Sequence, residues 1–301
     1  MQTSNIISAH RPGAHHLQHA GLGYSRPLED AELIRTAPAI FAPEAHGSRS
    51  GRYAYIPTLD LVAGMRAEGF MPVKVSQAKS RADDRKGFGK HLIRFRRQDQ
   101  LEQAEAREVV LVNSHDGTSG FRLMAGVFRL VCSNGLIVGQ TDNEIRVRHS
   151  GDAVGRVIEG AYSIVKDFDR VAASIDGMKA VNLTPEHQQA FGRAALALRF
   201  DDAENCGIQP AQIIRPRRSE DQKTDLWTTF NAVQENIIRG GLRGWKVDAN
   251  GHHARTKTRE VNGIDQSVAL NRGLWVLAEE MQKLAAPHNF ASPGGIVPPD
   301  F

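Results

Sequence analysis

The stretch EIRVRHSGDAVGRVIEGAYSIVKDF, residues 144–168, decides the fold class, because the hydrophobic period changes inside it. In EIRVRH the side chains alternate. Ile145, Val147 and His149 share one side and Arg146 and Arg148 the other, the period of a half-buried strand. From Asp152 onward the apolar residues Val154, Val157, Ile158, Ala161, Ile164, Val165 and Phe168 recur at helical spacing. A strand-rich segment therefore ends near residue 150 and a helical one begins. The expected class is α+β: a mixed or antiparallel sheet in the first half, helices in the second.

Working back from residue 144, KHLIRFRR (90–97), EVVLVNS (108–114), FRLMAGVFRLVC (121–132) and GLIVG (135–139) read as strands. PVKVSQA (72–78) and RYAYIP (52–57) are two more, with a helix from the capping Thr58 to Gly69 between them. Working forward, TPEHQQAFGRAALALRF begins with Thr184 as cap and Pro185 at the first helical position. TDLWTTFNAVQENIIRGG is a helix capped by Thr224 and ended by Gly240–Gly241, and GIDQSVALNRGLWVLAEEMQKLAA is the last one. The expected organisation is a flexible arm over 1–50 with one short helix near 28–36, and a single α+β domain over 51–285. That domain is sheet-rich over 51–150 and helical over 151–285; 286–301 form a flexible tail.

The 301 residues are 41% hydrophobic and 24% charged, an ordinary globular composition that excludes fibrous and wholly disordered classes. No run approaches the ~18 apolar residues of a membrane span, and the N-terminus lacks a secretory apolar region. Two cysteines, Cys132 and Cys206, do not make a disulfide framework. The expected compartment is the cytoplasm, with no membrane partner. The net charge is only +4, but it is unevenly spread. Residues 74–97 hold nine Lys/Arg against Asp83 and Asp84, and residues 239–259 hold six against Asp248. Such focusing suggests a polyanionic partner.

Lys90, Arg94 and Arg96 share one side of their strand, and Arg146 and Arg148 one side of theirs. In a common antiparallel sheet these five make a cationic face able to follow a phosphate backbone. Lys86 lies in the adjoining loop, and Phe88, between two glycines, is placed to stack on a base. Arg255, Lys257 and Arg259 alternate as in a β-ribbon arm and offer a second phosphate contact. The bland reading of each is a solvated surface.

SHDG (114–117) reads first as a β-turn and second as a metal or acid–base pair of His115 and Asp116, with Gly117 completing the turn. Cys132 closes an apolar run and reads as buried thiol rather than nucleophile. His149 reads as a core histidine. No Walker loop, dinucleotide fingerprint, HExxH or paired CxxC occurs, and no cofactor, metal or enzymatic activity is expected.

Three blocks taken together resemble a known family: LVNSHDGTSGFRLMAGVFRLVCSNGL, the following IRVRH, and LWTTFNAVQENIIRGG with ARTKTREVNGIDQSVALNRGLWVLAE. They are similar to a plasmid- and prophage-borne family known as phage/plasmid-like protein, a conserved domain of unknown function, over roughly residues 50–285. The motif residues are His115, Asp116, Gly117, Arg129, Cys132, Asn134, Gly135, His149, Trp227, Gln234 and Glu235, and the resemblance gives them no role. Its genomic setting implies DNA-related work. The expected function is therefore binding of DNA, single-stranded before double-stranded, in replication, recombination or establishment of a mobile element, with a homo-oligomer as a further partner. The alternatives are an anti-defence protein that binds a host protein and a metal-dependent nuclease around His115, Asp116 and His149.

Overall fold

The computed structural model describes residues 26–49, 53, 55–80, 82–129, 134–139, 144–147, 153–247 and 251–285. Cys132, Arg148 and His149, and most of the expected arm and tail, lie outside them.

An antiparallel sheet occupies the first half, in the order β1-β2-β3-β4-β5: β1 Phe70–Gln77, β2 His91–Arg97, β3 Glu105–Asn113, β4 Phe121–Arg129 and β5 Asn134–Ile137. A sixth strand, β6 Ile145–Val147, also pairs with β4. The outer edge of β4 is thus shared, Gly126–Arg129 bonding to β5 and Phe121–Leu123 to β6. At the other edge the register of β1 shifts between Pro72 and Lys74, and Leu28 N–H donates to the Pro72 carbonyl.

Helices α1 Asp30–Thr36 and α2 Thr58–Ala67 precede the sheet. Helices α3 Ala153–Ala180, α4 Pro185–Arg199, α5 Pro210–Ile214, α6 Leu226–Arg239 and α7 Ile264–Ala285 follow it. A separate hairpin, β7 Arg243–Val247 with β8 His253–Lys257, stands between α6 and α7.

One side of the sheet carries Ile93, Phe95, Val109, Leu111, Leu123, Ala125, Val127 and Leu136, which join side chains of α2, α3, α6 and α7 in the main apolar cluster. Helix α3 reaches β4 closely through Gly160, where a Cβ would stand 2.8 Å from Leu123. The opposite side carries a smaller cluster: Leu92, Val110, Val112, Met124 and Ile137 under Ile264 and Val268 of α7. Helix α6 is buried around its whole circumference from Leu226 to Ile237, so its polar residues find internal partners. Gln234 donates to Asn271 at 3.0 Å, and Asn236 donates to the carbonyls of Ile213 and Arg215.

Three local expectations are corrected. Tyr53 and Tyr55–Pro57 form no strand; the tyrosine hydroxyls instead donate to the carbonyls of Ser114 and Ala42. Residues 26–42 are not an arm, because Leu28, Leu33, Ala37 and Ile40 are buried in the main cluster. Asp225, not Thr224, caps α6, accepting from Thr228 N–H at 2.8 Å. Thr184 does cap α4, accepting from His187 N–H.

Candidate nucleic-acid interface

Antiparallel pairing puts directly opposed residues on one face. Arg146 opposes Arg122, which opposes Val112, which opposes Leu92. Arg94, Arg96 and Arg146 therefore share one side of one sheet, as their spacing demands. The expected exposure of that side is wrong for two of them. Arg94 is 5% and Arg96 1% exposed, and both close on Glu108, which is fully buried. Arg94 Nη1 donates to Glu108 Oε2 at 2.9 Å and Arg96 Nη2 to Oε1 at 2.8 Å. Guanidiniums cannot discard their charge, so burial is tolerated only with a carboxylate between them.

Arg94 also lies across the sheet, donating to the carbonyls of Gly135 at 2.7 Å and Leu136 at 3.1 Å. Two glycines make room for it. A Cβ on Gly135 would stand 2.7 Å from Arg94 Cζ, and one on Gly126 3.1 Å from Nη1. Gly135 of the RLVCSNG motif thus exists for a side chain 41 positions earlier; of its neighbour Asn134, only the backbone place in β5 is described. Arg96 covers the Phe128 ring, with Cζ 4.4 Å from the centroid. Lys74, opposite Arg94 on β1, is pushed down to about 8, by burial first and by the Arg94 charge second.

The SHDG motif is a hub behind the sheet. Thr58 Oγ1 lies 3.1 Å from His91 Nε2, 3.0 Å from His115 Nε2 and 3.0 Å from Asn113 Nδ2, and all four residues are fully buried. His91 Nδ1 sits 3.0 Å from the Gly89 carbonyl. An acceptor there fixes the proton on Nδ1, so Nε2 accepts from Thr58. The threonine oxygen then receives from Asn113 and His115. Burial holds His91 down to about 4, against a smaller opposing effect of the Gly89 bond. Asp116 Oδ1 accepts from Thr118 N–H and Oγ1 at 3.0 and 2.6 Å, and Gly117 takes φ 78°, a tight turn. Burial alone would raise Asp116, but its hydrogen bonds hold it below the usual carboxylate range. With His115 enclosed, an acid–base pair with access to substrate does not form at this motif. Among the described residues no three His, Cys, Asp or Glu gather to hold a metal ion.

Among the described residues, three more motif side chains have internal partners. Arg129 pairs with Asp221 at 2.6 Å, Trp227 stacks on Phe230 and donates to Glu105, and Glu235 receives Arg218 and Arg239. Phe88 is half-buried, edge-on to His46, and is not a free stacking platform. Lys86 is exposed beside Asp83. Lys90 pairs with Asp265, and Arg146 is exposed and pairs with Glu144.

What remains open is the hairpin. Arg243, Trp245 and Val247 oppose Lys257, Arg255 and His253 in register, so all six share one face, and all six are exposed. Trp245 is 57% and Val247 50% exposed. The Arg255 guanidinium covers Trp245 with Cζ 5.2 Å from the ring centroid, a cation–π distance. The outer edge of β7 is anchored: Gly207 O accepts from Trp245 N–H at 3.2 Å, and the Arg243 carbonyl accepts from Gln212. A Cβ on Gly244 would stand 1.7 Å from Gly207 O, so only glycine permits this docking. No carboxylate occurs in either strand. Arg255 and Lys257 stand where the sequence puts them, on a ribbon. Arg259 is exposed beyond its end. Arg243 and Trp245 were missed as site residues, although RGWKV repeats the alternation of HARTK and pairs with it; His253, read as a loop residue able to touch phosphate, lies on the same face.

No helix among the described residues is long and apolar enough to cross a membrane. No solved structure matches the chain. Two proteins of Escherichia coli K12, UPF0380 protein YafZ and UPF0380 protein YfjQ, are each 45% identical to it over 256 residues, covering 85% of this chain and 92% of each relative. Residues 45–275, from the hub through the sheet and hairpin to α7, match the family described as Domain of unknown function (DUF932), and the chain belongs to that family.

Proposed function

We propose that this protein binds nucleic acid, single strands in preference to duplex, through the exposed face of the β7–β8 hairpin. The observation that carries the reading is a ribbon face on which Arg243, Arg255, Lys257 and His253 surround a tryptophan 57% exposed. The exposed ring offers a π-face on which a base can stack, flanked by the Arg255 guanidinium. Cations at strand spacing on either side suit phosphates, and bases splayed from a single strand suit the ring. The hairpin is held to the body along the β7 edge and at Gly244, so its exposed face is open to a strand without rearrangement. Membership of a mobile element, with a role in its replication, recombination or establishment, fits this activity and rests on the family resemblance.

Binding of a fluorescent single-stranded oligonucleotide, followed by anisotropy across a salt series, tests the proposal. Trp245→Ala should weaken binding by ~1–3 kcal/mol, the usual worth of one stacked base. Replacing Arg243, Arg255 and Lys257 with Gln should flatten the slope of log affinity against log salt by about 2, at ~0.7 per phosphate contact. Folded wild-type protein that retains no single strand at low salt ends the proposal; salt-insensitive capture of a host protein in its place favours the anti-defence reading.

A further inference from the structure

A second cationic place lies at the end of the sheet face that begins with Lys90. Arg122 of β4 and Arg146 of β6 are direct cross-strand partners. Like charges directly opposed destabilise a sheet, so the pair needs compensation. Around it opens a cleft of about 480 Å³, lined among others by Lys90, Thr118, Ser119 and Asp265. Asp265, in the first turn of α7, accepts from Arg122 Nη2 at 2.8 Å and from Lys90 Nζ. Glu144 accepts from Arg146 Nε at 2.9 Å and also meets Arg272 at 2.6 Å. The local count is four cations, Lys90, Arg122, Arg146 and Arg272, against two carboxylates, an excess of two positive charges. The donors also exceed the acceptors. Among the described residues, Arg122 Nε is buried with no hydrogen-bond partner, and the Arg146 side chain, 76% exposed, has only its Nε engaged.

We propose that this cleft binds a phosphate monoester, held by Arg122 and Arg146 with Lys90 beside them. The excess charge of two matches a monoester, which carries about −1.5 to −2 at neutral pH, better than a backbone diester. Two guanidinium forks and an ammonium offer more donors than a carboxylate's two oxygens accept, and planar forks suit phosphate oxygens. Asp265 balances part of the charge of the cleft and opposes an incoming anion. The same chemistry comes from two sources, the 5′ end of a strand or a free mononucleotide.

The test uses the full chain and is independent of the hairpin. Calorimetric titration with a nucleoside 5′-monophosphate and with the bare nucleoside reads the free-ligand arm. Oligonucleotides identical but for a 5′-phosphate or a 5′-hydroxyl read the strand-end arm. The expected result is at least tenfold tighter binding of the phosphorylated member in one arm or both, and the arm that responds names the source. Arg146→Gln, whose side chain is exposed and cannot unfold the sheet, should cancel that preference, and Asp265→Asn should enlarge it. Equal binding of phosphorylated and unphosphorylated ligands in both arms overturns the proposal, as does binding of an acidic peptide that phosphate does not displace. Salt-dependent strand binding that depends on Trp245 but ignores the 5′ end leaves the hairpin reading standing and removes this one alone.

Discussion

Replacing Glu108 with Gln removes one negative charge while keeping nearly the same volume. The consequence follows from the geometry of the triad. Arg94 and Arg96 side chains are 6% and 0% exposed, and Glu108 is their shared carboxylate at 2.9 and 2.8 Å. A glutamine amide has one acceptor oxygen; its NH2 must face the second guanidinium, donor against donor. Neither arginine can deprotonate, so two buried positive charges remain unbalanced. Breaking a buried ion pair from one side costs ~3–5 kcal/mol, against a total stability of ~5–15 kcal/mol for a typical protein. Urea melts followed by far-ultraviolet circular dichroism should show the midpoint falling with the slope unchanged, which marks a loss of stability in a still cooperative fold. A companion variant, Arg94→Met with Arg96→Leu and Glu108→Met, removes the charges together and should be more stable than the single change, since well-packed apolar replacement of buried ion triads is often neutral or better. A single Glu108→Gln loss below about 1 kcal/mol, or a triple variant less stable than the single one, refutes the reasoning.

Acid should weaken the fold through His91. Its imidazole titrates at about 4 when folded and at an ordinary 6.5 when free, so the unfolded chain takes up the proton first. The contribution is whole above pH 6.5, declines as pH falls towards 4, and amounts to about 3 kcal/mol at 1.36 kcal/mol per pH unit; His91→Gln should flatten melting temperature across that window, and an unchanged profile speaks against the buried neutral ring. Gly135→Ala should cost ~1–3 kcal/mol by overpacking Arg94, measured by thermal melts, and the cost should shrink when Arg94 is already Met. Gly244→Ala should detach the hairpin from Gly207 and raise amide hydrogen exchange over 243–257 while leaving the sheet protected, because a Cβ at that position has no room.

The change of period near residue 150 foretold the sheet-to-helix order, and local chemistry at Thr184 and Gly240 marked helix ends correctly. Those signals are read from near neighbours. What escaped depends on distance in sequence. Alternation told which side of the sheet Arg94 and Arg96 take, but not that Glu108 would lie opposite or that a helix beginning at Ile264 would cover that side. Thr58 looked like a helix cap; it is the first helical residue, and its hydroxyl serves two histidines 33 and 57 positions away. On the ribbon the basic residues of β8 were legible because they alternate in a polar segment. Trp245 was not, since an aromatic residue between Gly244 and Lys246 signals neither burial nor exposure until its partner strand is known.

The sheet offers little on which another strand could grow. β4 would be its long outer strand, yet two short returns of the chain, at Asn134–Ile137 and Ile145–Val147, occupy its edge in sequence. At the other side a proline, a register shift and the bond from Leu28 interrupt β1. Unpaired backbone edges are where sheets fuse between molecules, and here both are broken into pieces too short to template a continuous ladder. Among the described residues, contacts between copies through this sheet would therefore rest on side chains and not on a continued backbone ladder, which lowers the risk of the irreversible sheet-to-sheet merging that leads to fibres.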